Sequence, residues 1–303
     1  MAFECERRTF LRAAVSPIAL SLKQDASAAR PRLGVVVSVT ETAPEEAIAK
    51  VRAFGLPTCQ VHVGMAPASL AAPLKEALSK HHIEATAVMT LGPGRLVWDF
   101  TEGPKTIGLV PPSTRAARIE ALKRASDLAK QCGIGAVHTH CGFIPEDPND
   151  PLYAQSVTAI RDVAAYYKQN GQIFLMETGQ ETPITMLRAI TDTGLNNVFV
   201  NLDTANLILY GKWEPVGALE VIGKYVRGLH AKDGLYPTDP KKLGEEVPIG
   251  QGRVNFQEVM RHLRKLSYTG PITIEREISG PQQEADIRTS KAHLERLIER
   301  EYS

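Results

Sequence analysis

A chain of 303 residues with 43% hydrophobic and 23% charged side chains has the composition of a single globular domain, near the ~250 residues of a closed α/β barrel. Its 35 basic and 34 acidic residues leave a net charge of +1 with no long block of either sign, which argues against a nucleic-acid partner. No apolar run approaches the ~20 residues that span a bilayer, so no membrane helix is expected.

Near the N-terminus, Glu6-Arg7-Arg8-Thr9-Phe10-Leu11-Arg12, an apolar stretch from Ala13 to Leu22 and Ala26-Ser27-Ala28 resemble a twin-arginine export signal with its cleavage site. The apolar stretch is short and contains Pro17, so a basic N-terminal arm is the alternative. Residues 1–30 are set apart as this signal-like segment and residues 31–303 as the folded domain. A periplasmic or secreted protein is expected, or a cytoplasmic one if the segment is only an arm.

Eight short apolar runs follow, at Leu33–Val39, Thr58–Gly64, Ala85–Leu91, Ala136–His140, Ile173–Glu177, Val198–Asp203, Val226–His230 and Ile272–Glu275. They alternate with amphipathic stretches such as Pro44–Phe54, Arg115–Gln131, Pro183–Asp192 and Phe256–Leu266, and Gly55, Gly133, Gly171 and Gly194 fall where helix ends are expected. Strands alternating with helices call for parallel pairing, and eight of them for a (β/α)₈ TIM barrel. An open doubly wound sheet is the competing architecture, but no GxGxxG follows the first strand. Two long connections, Gly92–Pro112 with Trp98 and Phe100, and Asp233–Gly252, follow strands, on the side where barrels place their chemistry. Cys5, Cys59, Cys132 and Cys141 are scattered and form no CxxC pair. They read as buried thiols, with Cys141 alone near a candidate active-site rim.

Each of the last four strand candidates ends on a metal-competent side chain: Glu177, Asp203, His230 and Glu275. A carboxylate at the end of an apolar strand is costly to bury alone, so four such residues at one barrel mouth favour a cation among them. Taken singly, each acid could be a helix cap or a loop ion pair. Three carboxylates and an imidazole suit one divalent ion, Mn²⁺ first and Mg²⁺, Co²⁺ or Zn²⁺ as alternatives. Because residues two apart share a strand face, Asn201 accompanies Asp203, Lys232 accompanies His230, and Glu277 accompanies Glu275. His138 and His140 share a face of the fourth strand; a core or rim role is the plain alternative to a site role for both. His62 reads as structural, and His81 with His82 as the end of a helix.

These residues, with Gly228-Leu229-His230-Ala231-Lys232-Asp233-Gly234, Gly250-Gln251-Gly252-Arg253-Val254-Asn255-Phe256 and Tyr268-Thr269-Gly270-Pro271-Ile272-Thr273-Ile274-Glu275, resemble the xylose isomerase-like barrel superfamily over Leu33 to Glu299. That superfamily includes ketose 3-epimerases, inosose dehydratase and endonuclease IV. The resemblance implies that Glu177, Asp203, His230 and Glu275 bind the metal. It also implies that Glu177 and Glu275 exchange substrate protons through an enediolate in a sugar isomerase or epimerase. His140, Asn206, Lys232 and Trp98 are the candidate substrate contacts, the partner is a small sugar or polyol, and a homo-oligomer is compatible with the sequence.

Two departures bear on the reaction. Asn206 stands where family epimerases carry a substrate-gripping histidine, and Leu235-Tyr236-Pro237 replaces the stretch that carries an arginine after the histidine ligand. A lyase or hydratase acting on a keto-sugar or keto-glycoside is therefore an alternative. An endonuclease IV-like phosphodiesterase would need about three clustered metals, with His62, His138 and His140 contributing. A non-catalytic sugar-binding barrel would need none.

Overall fold

The structure, a computed structural model, describes residues 30–303; of the signal-like segment only Arg30 is among the described residues. In chain order the elements are β1 (Arg32–Ser38), α1 (Pro44–Ala53), β2 (Thr58–His62), α2 (Ala71–His81), β3 (Glu84–Met89), α3 (Gly103–Thr106), α4 (Pro112–Cys132), β4 (Ala136–His140) and α5 (Pro151–Gln169). They continue with β5 (Ile173–Glu177), α6 (Pro183–Thr193), β6 (Val198–Asp203), α7 (Asn206–Leu209), α8 (Pro215–Ile222), β7 (Val226–Ala231), β8 (Asp233–Gly234), β9 (Glu246–Val247), α9 (Phe256–Lys265), β10 (Pro271–Ile274) and α10 (Pro281–Tyr302). Eight parallel strands close in the order β1-β10-β7-β6-β5-β4-β3-β2, while β8 and β9 form a separate antiparallel ribbon.

The eight expected strands are those of the barrel, with ends shifted by at most two residues. Helix α4 begins at Pro112, three residues before the sequence reading of Arg115, because proline's fixed φ and missing N–H suit a first helical turn. Side-chain oxygens of Asp150, Thr182, Glu214 and Asn255 cap the starts of α5, α6, α8 and α9. Gly133 and Gly194 close α4 and α6 in the left-handed conformation. His81 ends α2, His82 forms its left-handed cap, and His81 Nε2 lies 3.6 Å from Glu45.

Strand alternation divides the core in two. Cys59, Val61, Val137, Phe174, Met176, Val200, Leu202 and Leu229 belong to the large apolar core shared with the helices. The opposite strand face points into the barrel, where Ala87, Ala136 and Leu175 pack with Ile173 and Phe199 as a small apolar cluster. Further along these strands the same face becomes polar, carrying Gln60, His138, Asn201 and His230, all fully buried. Register sets these residues level with their neighbours: His140 pairs with Glu177 across β4 and β5, and Asp203 with His230 across β6 and β7.

Both long connections are ordered. Arg118 of α4, 1% exposed, donates to the carbonyls of Pro93 (3.1 Å), Arg95 (3.3 Å), Thr106 (2.6 Å) and Gly108 (2.8 Å). Gly108 itself has φ +73°, and a Cβ there would stand 2.1 Å from the Cys141 backbone, so the loop lies flush against the end of β4. In the second connection, the buried Asp233 carboxylate accepts from the N–H groups of Gly234, Gly250, Gly252 and Val254 at 2.9 to 3.0 Å. A Cβ on Gly252 would fall 2.1 Å from Asp233 Oδ1, which accounts for the glycine. Among the described residues, no helix is long and apolar enough to cross a membrane.

Candidate metal centre

The ligand candidates reach the barrel mouth by different routes. Glu177 and Asp203 are the last residues of β5 and β6, His230 lies one before the end of β7, and Glu275 sits one past β10 while its N–H continues the ladder to Ala231 O at 3.1 Å. Thr178 ties β5 to β6: its hydroxyl donates to Asp203 O (3.0 Å) and accepts from Asp203 N–H (2.9 Å). One ligand atom from each of Glu177, Asp203, His230 and Glu275 lies within 4.8 Å of the others.

The hydrogen bonds around these side chains leave a consistent set of atoms facing inward. Asp203 Oδ1 accepts from the N–H groups of Ala205 (2.9 Å) and Asn206 (2.7 Å), which leaves the buried Oδ2 without a hydrogen-bond partner. Glu177 Oε2 is likewise buried and unpartnered, 3.2 Å from His138 Nδ1 and 3.5 Å from His140 Nε2. His230 turns Nδ1 toward Glu177 Oε1 (3.0 Å), Glu275 Oε2 (3.2 Å) and Asp203 Oδ2 (3.6 Å). Its Nε2 donates to Gln60 Oε1 at 2.8 Å, and the Gln60 amide in turn donates to Asn201 Oδ1 at 3.1 Å. This chain keeps Nε2 on Gln60 and turns Nδ1 toward the carboxylates, so a cation that displaces the Nδ1 proton would meet that nitrogen. Orphaned carboxylate oxygens and an inward-facing imidazole nitrogen within one small volume fit a single divalent ion.

Burial opposes ionisation of Glu177 and Glu275, yet the neighbouring imidazoles, and Lys232 for Glu275, hold both below the usual carboxylate range. Burial raises Asp203. His230 is pushed well up, because the pull of Glu275 and Glu177 outweighs burial. Lys232, fully buried, also rises despite burial, since Nζ lies 3.7 Å from Asp203, 3.3 Å from Glu275 and 2.6 Å from Glu277.

The remaining candidates fall around this cluster. His140 is buried, with Nδ1 3.2 Å from Gln180 Oε1, and Trp98 stacks edge-on to it at 5.0 Å while staying 41% exposed. Asn206 is buried, and its Oδ1 accepts from Lys232 Nζ at 3.2 Å. His138 joins the neighbourhood, 3.2 Å from Glu177. His62 ends β2, and burial lowers its pKa. Cys141, next to His140 at the end of β4, is fully buried, and burial pushes its thiol well up. Cys59 and Cys132 are also free thiols.

Sequence reasoning missed Gln60. Its signal was a polar residue inside the buried strand Thr58-Cys59-Gln60-Val61-His62, on the face shared with His62. It also missed Gln180, Glu181, Tyr210 and Arg118. A second group of potential ligands converging in this way is not found among the described residues.

The sequence model of xylose isomerase-like TIM barrels matches residues 48–297. The chain belongs to this family. A xylose isomerase domain protein from Planctomyces limnophilus is 32% identical, with a TM-score of 0.81 covering 88% of this chain and 98% of that one. An uncharacterized protein of Methanocaldococcus jannaschii is 26% identical over 177 residues, 53% of this chain, and the chain spans 57% of that relative's length. The same fold occurs in an L-ribulose 3-epimerase (TM-score 0.67, 17% identity, 89% of this chain and 95% of that one). It occurs too in a 3-keto-D-glucoside 4-epimerase from E. coli (TM-score 0.65, 13% identity, 88% and 100%). A carboxylate and imidazole cluster compatible with a divalent metal thus stands at the strand ends of a barrel of this family.

Proposed function

We propose that the protein is a divalent-metal-dependent isomerase or epimerase of a sugar or polyol, in which Glu177 and Glu275 move a substrate proton. The observation that carries this reading is the pair of buried, unpartnered oxygens, Asp203 Oδ2 and Glu177 Oε2, with His230 Nδ1 turned toward Asp203 Oδ2 and the other Glu177 oxygen. Glu177, Asp203, His230 and Glu275 would hold one ion, Mn²⁺ foremost, with Mg²⁺, Co²⁺ or Zn²⁺ admitted by the same donors. Such an ion, when bound, polarises a substrate carbonyl and acidifies the adjacent C–H.

The rest of the chemistry belongs to the side chains. In the barrel order β6 and β7 separate β5 from β10, so Glu177 and Glu275 approach the mouth from different sides. One carboxylate takes the proton from carbon and the other, in its protonated form, gives its own proton to the opposite face, which inverts the centre. Lys232 steadies negative charge developing on a substrate oxygen, while His140 and Trp98 border the sugar on the Glu177 side. The sugar epimerases that share the fold support a carbohydrate substrate. Residues 1–30 would act as a twin-arginine signal delivering the barrel, residues 31–303, to the periplasm or beyond. A signal-reporter fusion tests that assignment, and retention in the cytoplasm opposes it.

The test of the reaction is carbon-bound deuterium after incubation of the Mn²⁺-loaded protein with a panel of ketoses in D₂O. Glu177→Gln and Glu275→Gln are each expected to slow exchange by roughly 10²- to 10⁴-fold. Absence of exchange across the panel overturns the reading. A second reading, elimination or hydration of a keto-sugar or keto-glycoside, is favoured by the tie between Asn206 and Lys232, which occupies the position of the family's substrate-gripping histidine. Product analysis with 3-keto-glycosides separates the two, and intact substrate counts against the second.

A further inference from the structure

Lys232 is a buried cation whose hydrogen bonds are all taken. Its Nζ donates to Asn206 Oδ1 (3.2 Å), Glu275 Oε2 (3.3 Å) and Glu277 Oε1 (2.6 Å), which uses every N–H group an ammonium has. Among the described residues it is the one lysine or arginine that pairs with a ligand candidate, through Glu275 and, at 3.7 Å, Asp203. Arg276, next to Glu275 in the chain, is taken up by Glu246 (3.1 Å) and Asp286 (2.8 Å).

The carboxylates around Lys232 differ in depth. The side chains of Asp203 and Glu275 are 0% and 10% exposed, and both are ligand candidates, whereas Glu277 is 59% exposed and outside that set. Glu277 is therefore the outermost partner, and the carboxylate left to balance Lys232 when a cation claims the other two. It is also held in place: its N–H lies 3.1 and 3.2 Å from the two Glu246 carboxylate oxygens, and Glu246 is in turn paired with Arg276. An anionic group approaching Lys232 from solvent meets an exposed carboxylate first, and then an ammonium with no N–H to give it. An uncharged hydroxyl group meets no such repulsion.

We propose that Glu277 is a specificity-determining residue that keeps Lys232 balanced and turns anionic sugars, phosphate monoesters foremost, away from the site, which therefore takes sugars without a charged group. The assignment rests on the sugar reading of the site. It assigns a task to a side chain that neither belongs to the ligand set nor moves the substrate proton.

The experiment uses the full chain saturated with Mn²⁺ and measures by calorimetry the affinity for D-fructose, xylitol, D-fructose 6-phosphate and inorganic phosphate, at low and at high salt. Glu277→Gln removes the charge and keeps an acceptor for Lys232; Glu277→Ala removes both. Affinity for the two phosphate probes is expected to rise about fivefold in the first variant and about tenfold or more in the second. The uncharged probes stay within about twofold of wild type, and the phosphate gains shrink at high salt, which a merely structural role would not produce. Phosphate-probe affinity unchanged in both variants overturns the proposal, as do equal gains for the uncharged probes, or a wild type that binds D-fructose 6-phosphate more tightly than D-fructose. If wild type binds neither uncharged probe while the gain for inorganic phosphate persists, the sugar reading falls and the exclusion of phosphate by Glu277 stands.

Discussion

His230 can serve as a ligand because of a glutamine that never approaches the other three ligand candidates. Gln60 Oε1 accepts a hydrogen bond from Nε2–H, and Asn201 orients Gln60 by accepting from its amide, so Nδ1 is the nitrogen turned inward. Replacing Gln60 by leucine removes that acceptor, and Mn²⁺ affinity is expected to fall about 10- to 100-fold by calorimetry. Glu181 behaves differently. Both of its oxygens are buried without partners, and burial raises its pKa to about 8. A raised carboxyl stabilises the fold fully below its unfolded value of 4.5 and loses that contribution as pH climbs through about 8. With metal held saturating, Glu181→Gln should gain stability relative to the parent between pH 5 and pH 8, at most about 1.4 kcal/mol per pH unit. Denaturant titrations across that window check it, and parallel curves for the two proteins refute it.

Two long connections on the side where barrels place their chemistry are each organised by one buried side chain. Arg118 gathers four carbonyls of the segment from Pro93 to Gly108 and so holds the loop that carries Trp98 against His140. Arg118→Met leaves those carbonyls without their donor. In a Trp213→Phe background the remaining indole is expected to become more accessible to acrylamide and its emission to shift red, with Arg118→Lys partly restoring both; unchanged quenching would refute the role. Asp233 does the same for the connection to Val254, and Glu246 of β9 carries the effect onward, accepting from Glu277 N–H (3.2 Å) and pairing with Arg276 (3.1 Å). Neither organiser was legible beforehand. Their partners are main-chain groups, which every residue possesses, so the sequence carries no mark of which carbonyls or N–H groups will be gathered.

Across the whole molecule, barrel closure brings β10 beside β1 and β7 and so lets residues from Glu177 to Glu275 share one volume. Ions that bind only this folded arrangement stabilise it by mass action. Mn²⁺ at about 100 times its dissociation constant adds about 2.7 kcal/mol, a rise of several degrees in melting temperature that EDTA reverses. Asp203→Asn should lose most of that increment, and an equal metal-induced rise in the variant would place the ion elsewhere.

The sequence by itself determined the eight strands, their parallel pairing and the four residues at the strand ends, because strand period, helix punctuation and a carboxylate closing an apolar run are local signals. Tertiary structure alone decided which nitrogen of His230 faces inward, that Asn206 is tied to Lys232, and that Cys141 is fully buried, while the open oxygen of Asp203 follows from the local turn that aims the N–H groups of Ala205 and Asn206 at the other one. The first three outcomes depend on a partner more than about twenty residues away or on the depth of a side chain in the closed barrel, and neither separation nor depth is written in the order of residues. The metal-competent set was therefore visible as four letters, while its readiness to hold an ion came from Gln60, Thr178 and the backbone of Ala205 and Asn206.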